Sequence, residues 1–465
     1  MTVAEATPEL DIADRDDTAF LGHPKGLGYL AFTEACERFS YYSMQSLLVL
    51  YMVHQLLLPG HIENIAGFAW LRAVFFPGLE GQPLASAIFG TYAALVYGTP
   101  ILGGILADRL LGRRRTMVIG AVLMSMGHFL MAFEPAFLLA LLCLVLGVGC
   151  FKGNIASQVG GLYGQNDLRR AMAFQIFYIA INVSVIVGPL VSGTLGEKVG
   201  WHFGFGAAGV MMVVGLIIYL SGQRYLPADE TGRAARAARV KMRPQDWPAV
   251  IALILLIPVM AISLLTNQEI FNAYLVWGDR QFDLTFFDFT LPTTWLITID
   301  AALSFSMLVA VAAFWKYWGR RRREPDELGK MIIGSFFTIA GGLCLVAAAF
   351  YQGATGAKIG LAWPLMFHLL NSIGFAHILP VSLALFSKVA PKAINATVIG
   401  LYYLAFFAAN ALVGYVGGWL EVMPTTTFWL IHVASACIGL VAFAFFKVFL
   451  ARHLVQPEEA PAPLG

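Results

Sequence analysis

Apolar runs long enough to cross a bilayer, roughly twenty residues at 1.5 Å each, follow one another along the chain between short polar or basic segments. They cover approximately Gly26–Leu57, Ala85–Ala107, Thr116–Phe133, Ala136–Val159, Ala171–Leu195, Phe203–Leu220, Trp247–Trp277, Leu291–Trp315, Leu328–Tyr351, Gly360–Ser387, Ala393–Trp419 and Thr426–Phe446. That pattern predicts about twelve transmembrane helices. The longest polar interruption, 221–246, divides them six and six. An all-α membrane protein is expected, with two pseudo-symmetric six-helix bundles, 26–220 and 247–449, joined by a cytoplasmic linker 221–246 and flanked by cytoplasmic tails 1–25 and 450–465. A cavity between the halves follows from such a division.

Composition supports this picture. Of the 465 residues 58% are hydrophobic and 12% charged, and the mean hydropathy of +0.73 lies outside the range of a soluble globular domain. Most of the 30 Lys and Arg residues fall in alternate loops, including Arg109, Arg113–Arg115, Arg169, Arg170, Lys316 and Arg320–Arg323. Cytoplasmic loops retain such residues, so both termini are expected in the cytoplasm and the chain in the cytoplasmic membrane. The net charge of +2 reflects that topology, with basic loops beside anionic headgroups, and implies no nucleic-acid partner. Cys36, Cys143, Cys150, Cys344 and Cys437 lie in apolar segments without metal-ligand spacing and read as buried thiols. The acidic start, with Glu5, Glu9, Asp11, Asp14, Asp16 and Asp17, has no signal-peptide layout, so the first helix directs insertion. The loops 59–84 and 279–288, the latter with Asp279, Asp283 and Asp288, read as connections.

Within the first span, Glu34, Glu37, Arg38, Tyr41, Tyr42 and Gln45 share one helix face. Charges at bilayer depth persist where they face a water-filled cavity or one another, usually on an ion, proton or substrate path. Two acids beside one base leave an excess negative charge in a poor dielectric, relieved when one carboxylate takes a proton. The stripe therefore reads as a proton-binding site facing the protein interior. Lys152, mid-helix beside Gly149, Cys150 and Phe151, adds a second buried cation, and two cations facing a dry cavity form an anion clamp. No Ser-His-Asp spacing, metal cluster or phosphate loop accompanies them, so a transporter is expected, not an enzyme, with no metal and no cofactor beyond a proton gradient.

Several stretches carry a family resemblance. Gly104 to Arg115 has the Gly-x-x-x-Asp-x-x-x-Gly-Arg pattern of the major facilitator superfamily, which implies that Asp108 latches the cytoplasmic side. Glu34, Glu37 and Arg38 resemble the Glu-x-x-Glu-Arg motif of the proton-dependent oligopeptide transporter family. Phe151-Lys152-Gly153-Asn154 is similar to its Phe-Lys-Pro-Asn, and Phe177–Asn182 to its Phe-Tyr-x-x-Ile-Asn. The resemblance implies import of di- and tripeptides with protons by alternating access, a monomer sufficing. Glu34, Glu37 and Arg38 would couple protons, Arg38 and Lys152 would hold the peptide carboxylate, Tyr41, Tyr42 and Tyr97 would line the pocket, and Asn182 and Gln268 would contact the ligand.

Two departures stand out against that family. Phe375 occupies the position where helix ten usually carries a Glu that binds the peptide amine and pairs with the lysine, which leaves Lys152 without its acid. Asp300 on helix eight, where Asn is common, is expected to supply the missing charge, while His377 reads as a core residue or a further titrating group. Gln45 and Asn267 stand where relatives pair an Arg with a Glu as an outer gate, so an amide pair is expected there. Glu269, two residues on and roughly 200° around the helix, cannot replace that acid. The loss at Phe375 keeps open a transporter of the same fold for a modified peptide or another small zwitterion or anion.

Overall fold

The structure, a computed structural model, describes residues 17–164, 167, 169–227, 244–286, 288–391, 394–451 and 454. The acidic start up to Asp16, the linker core 228–243, Lys392 and the tail from 455 onward lie outside the described residues.

The apolar runs fold as helices α1 (Lys25–Tyr51), α2 (Gly81–Leu106), α3 (Arg113–Leu130), α4 (Phe137–Gly161), α5 (Arg169–Gly188), α6 (Trp201–Gly222), α7 (Trp247–Ser263), α8 (Trp295–Gly319), α9 (Glu327–Thr355), α10 (Ala362–Val389), α11 (Asn395–Gly417) and α12 (Thr425–Phe445). Nine helices among the described residues are long and apolar enough to cross a membrane, ten when the bent α7 counts as one span. α1 and α3 complete the set at 27 and 18 residues, their apolar character diluted by the charged stripe and by the basic cluster Arg113–Arg115. Large side chains such as Leu142, Ile217, Leu220, Ile438 and Val441 stand exposed, while Glu34, Glu37, Arg38, Gln45, Gln158 and Asn410 are buried. This inside-out distribution is what a hydrocarbon solvent selects.

Breaks in the helices have local causes. α1 and α5 run on through π-helical turns, Met52–Leu56 and Pro189–Gly193, the second opened by a proline that lacks an N–H. α7 holds Pro258 and bends by 51° before continuing as Leu265–Phe271. It breaks again at Asn272, whose φ of −125° and ψ of −110° leave helical space, and resumes as an outer arm, Ala273–Gln281. The buried Asn272 amide donates to Glu269 Oε1 at 3.0 Å and to the Val413 carbonyl at 3.2 Å, which fixes the break against α11. α9 starts on Asp326, whose side chain accepts from the Gly329 N–H, and ends on Gly356 at φ +68°, a left-handed cap natural to glycine. Burial opposes the Asp326 charge, but hydrogen bonds from Lys447 and the Gly329 N–H outweigh it and hold the carboxyl below its ordinary value.

Between α1 and α2 the chain carries an eight-residue helix, Phe68–Phe75, with Trp70 and Phe75 exposed. Between α7 and α8 it makes a two-stranded hairpin, β1 (Thr285–Phe286) with β2 (Phe289–Thr290).

The halves meet on the face opposite the basic loops. His54 Nε2 lies 2.8 Å from Asp279 Oδ2, joining the end of α1 to the outer arm of α7. Glu197 accepts from the Thr293 and Thr294 N–H groups at 2.7 and 2.8 Å, and Trp295 Nε1 donates to Thr194 Oγ1 at 2.8 Å. α2 and α11 cross with Gly90 against Gly414, where a Cβ on Gly90 would run into the Gly414 backbone. On the basic face Lys447 meets Asp326 and Lys388 meets Glu327, each at 2.8 Å. Asp108, in the turn Ala107–Leu111 that ends α2, is two-thirds exposed and has Arg113, the first residue of α3, at 3.9 Å, so in the present conformation it pairs with the neighbouring helix of its own half.

Candidate functional site

A central cavity of about 380 Å³ lies between the halves and extends toward the basic face past Ala156, Leu308 and Leu379. Glu34, Arg38, Tyr42, Gln45, Tyr97, Lys152 and Asn182 line it from the first half, and Asn267, Gln268, Asp300, Phe375 and Phe406 from the second.

The α1 stripe is about 140° wide at 100° per residue, and its two edges do different things. Glu34, Arg38, Tyr42 and Gln45 occupy the edge that meets the cavity. Glu37 and Tyr41 occupy the other and are buried behind it, at 0% and 2% exposure. Tyr41 therefore backs the pocket and does not line it, contrary to expectation; its ring lies 5.7 Å from the Arg38 guanidinium carbon and 5.8 Å from Lys152 Nζ. Arg38 Nε donates to Glu34 Oε1 at 2.7 Å, the i,i+4 pairing of a helix, and lies 2.8 Å from Glu37 Oε2. That second approach lacks hydrogen-bond alignment: neither Glu37 oxygen accepts a bond. Glu37 is thus charge-compensated by proximity while its lone pairs stay empty.

Lys152 enters from α4, its ammonium 4.1 Å from the centroid of the Tyr97 ring, a cation–π contact. No carboxylate of the described residues comes within ion-pair distance of it, as Phe375 implied. Tyr97 itself stacks on Phe406 across the halves, ring centroids 5.0 Å apart.

On the opposite wall Asp300 of α8 faces the cavity with its side chain 12% exposed. Its Oδ1 lies 2.8 Å from His368 Nδ1 of α10, and His368 Nε2 lies 2.8 Å from the Tyr274 hydroxyl on the α7 outer arm. Both inner members are fully buried. Ser304 and Ser372, 3.0 Å apart, tie α8 to α10 beside this chain. His377 takes no part: it accepts from Trp315 Nε1 at 3.1 Å and bonds the Ile373 carbonyl, as a satisfied core residue does.

The expected amide gate is not formed in this conformation. Asn267 accepts from Gln268 Nε2 at 2.9 Å, Gln268 in turn accepts from Asn410 at 3.3 Å, and Gln45 Oε1 has no partner. Glu269 turns away from the cavity into the α7 break, 3.4 Å from His432 of α12. Asn182 lines the cavity while its amide donates back to the Tyr178 carbonyl. His368, Tyr274, Tyr178 and Tyr403 are cavity or supporting residues absent from the sequence-based set. A signal for His368 exists, because it precedes Phe375 by seven residues and so shares its face, whereas His377 lies about 200° around.

Residues 30–414 match the Major Facilitator Superfamily, whose members are transporters and not enzymes. The chain is 28% identical to the Uncharacterized transporter YclF of Bacillus subtilis (strain 168), over 93% of this chain and 94% of that protein. It is also 28% identical to the Peptide transporter YePEPT of Yersinia enterocolitica subsp. palearctica serotype O:3 (strain YE-P4), over 87% and 91%. A crystal structure of the peptide transporter POT, a mutant form in complex with sulfate, superposes with a TM-score of 0.80 at 25% identity, covering 95% of this chain and 99% of that one. The family resemblance carried by Glu34, Glu37, Arg38 and Phe151–Asn154 is borne out by these peptide-transporter relatives and POT structures, and this multi-pass membrane protein belongs to the major facilitator superfamily.

Proposed function

We propose that the protein is a proton-coupled symporter that imports di- and tripeptides across the cytoplasmic membrane, working as a monomer with both termini in the cytoplasm. The bundles 26–220 and 247–449 rock about the central cavity by alternating access, and the proton gradient alone supplies the work. The observation that carries this reading is the arrangement of the cavity: Arg38, paired with Glu34, and the uncompensated Lys152 on one wall and a carboxylate, Asp300, on the other. A peptide is a zwitterion with its charges at opposite ends, and this arrangement receives its carboxylate at the first wall and its amine at the second. A volume of about 380 Å³ falls at the small end of small-molecule pockets, roughly 300–1,000 Å³. Tyr42, Tyr97, Asn182 and Gln268 contribute polar and aromatic contacts to the ligand.

Coupling runs through α1. Arg38 is shared between Glu34 and Glu37, so drawing its guanidinium toward a peptide carboxylate strips compensation from Glu37, which then takes a proton to stay buried. In the present conformation the outer rim is bonded shut and the cavity extends toward the basic loops, as an inward-facing state requires. Gln45, Asn267 and Asp108 are gating residues whose partners change on the outward swing. Purified protein in proteoliposomes, energised by an imposed pH gradient, is expected to accumulate labelled dialanine; no accumulation above the ungraded control would refute the reading.

A second reading rests on Phe375, which puts an aromatic face where the amine-binding acid stands in relatives. A modified peptide or another small zwitterion or anion would suit it, and competition of dialanine uptake by its N-acetyl form separates the two.

A further inference from the structure

We propose that Tyr274, His368 and Asp300 form an amine subsite in which His368 exchanges a proton for the ammonium group of the cargo. The proposal rests on the reading of the cavity as a site for zwitterionic peptides.

The chain admits two charge states without moving a heavy atom. An ionised Asp300 only accepts, so His368 Nδ1 must carry a hydrogen and donate it across the 2.8 Å contact. Nε2 is then free to be bare or protonated. When it is bare, the Tyr274 hydroxyl donates to it across 2.8 Å and the chain carries one negative charge. When it is protonated, it donates to the Tyr274 oxygen after the hydroxyl rotates, and the chain is neutral. One proton is taken up, on Nε2, and nothing else is made or broken. A cargo ammonium beside Asp300 supplies the same unit of positive charge from the cavity side. Accepting both would leave a net positive charge in a poor dielectric, facing a wall whose acids Glu34 and Glu37 are already matched by Arg38 and Lys152. Proton and ammonium therefore compete.

The surroundings leave the toggle to these three residues. Tyr274 comes from the α7 arm and Asp300 from α8. α9 carries Cys344, whose thiol donates to the Trp363 carbonyl, and α12 packs Trp429 on Tyr274, ring centroids 6.2 Å apart. The remaining ionisable groups nearby, Glu269 of α7 and His432 of α12, pair with each other, and His377 of α10 is engaged by Trp315. His368 thus acts as a positioning residue: it touches Asp300, not the cargo, and decides when that carboxylate is uncompensated.

The test compares binding of dialanine and N-acetyl-dialanine to the purified full-length protein between pH 5 and 7, where the free amine stays protonated. In the wild type the affinity ratio, free over acetylated, is expected to fall on acidification by up to about tenfold per pH unit, the limit for one competing proton. His368→Gln keeps a neutral donor to Asp300 and cannot take the proton, so its ratio is expected to be flat. Asp300→Asn is expected to abolish the preference for the free amine. Tyr274→Phe, which preserves the ring and removes the Nε2 partner, guards against misfolding of the other two and is expected to alter the pH at which the ratio turns. A wild-type ratio flat in pH, or a profile unchanged in His368→Gln or Tyr274→Phe, would overturn the exchange while leaving peptide transport standing. Failure of the wild type to bind either peptide would overturn both.

Discussion

Under the proposed mechanism Glu37→Gln is expected to separate coupling from transport. The side chain is fully buried, 2.8 Å from Arg38 Nε, and accepts no aligned hydrogen bond, so an isosteric amide removes the proton acceptor with little change in packing. Arg38 keeps its 2.7 Å bond to Glu34, so the loss of stability should stay below the roughly 3–5 kcal/mol of orphaning a buried charge outright. One proton carried inward across 100 mV is worth about 2.3 kcal/mol, or roughly fifty-fold accumulation at equilibrium. The variant is expected to lose that accumulation in proteoliposomes while counterflow exchange of labelled against unlabelled dialanine persists at a substantial fraction of the wild-type rate. Equal loss of both activities, or accumulation that survives intact, would refute the assignment of Glu37 as the coupling acid.

Three further outcomes follow from the geometry. Lys152→Gln removes a charge-assisted contact worth about 1.5–3 kcal/mol, so KM for dialanine should rise roughly tenfold to a hundredfold, with little effect on the C-terminally amidated peptide; equal effects on both peptides would exclude a carboxylate clamp. His54→Phe or Asp279→Asn opens a half-exposed pair worth up to about 1 kcal/mol, so fluorescence distances between the outer loops of the two halves should shift toward the open population by up to about fivefold, and an unmoved distribution would count against a closing role. Asp326→Ala removes the α9 cap and its tie to Lys447, at about 0.5–2 kcal/mol in thermal unfolding. Because the folded state holds the Asp326 carboxyl below its ordinary 3.8, its contribution is complete above that pH and lost as pH falls through the lower folded value. The difference between wild type and variant should therefore vanish in strong acid; a difference that grows there would contradict the cap.

Helix placement was legible because hydrocarbon imposes one rule on every span: the observed α10, Ala362–Val389, differs by only two residues at each end from the run Gly360–Ser387. The α1 stripe was legible as a face but not in its division, since periodicity does not say which edge meets water and which meets a neighbouring helix; hence Tyr41 was expected in the pocket and lies behind it. Asp300 could be singled out as an acid in an apolar run, whereas His368 gains meaning from a partner on another helix, 68 positions away. The pairing of Gln45 with Asn267 rests on analogy to a contact that depends on conformation, and here Asn267 bonds its own neighbour Gln268 instead.

Main chain lies directly on main chain where α2 passes α11, because neither Gly90 nor Gly414 carries a side chain. That glycine contact can roll with no rotamers to re-sort, while the Tyr97–Phe406 stack further along the same crossing must slide. Under the proposed rocking motion the outer periphery must also open, where His54, Glu197 and Trp295 hold the opposite bundle, so the pace of the cycle is expected to be tunable there without touching the cargo chamber.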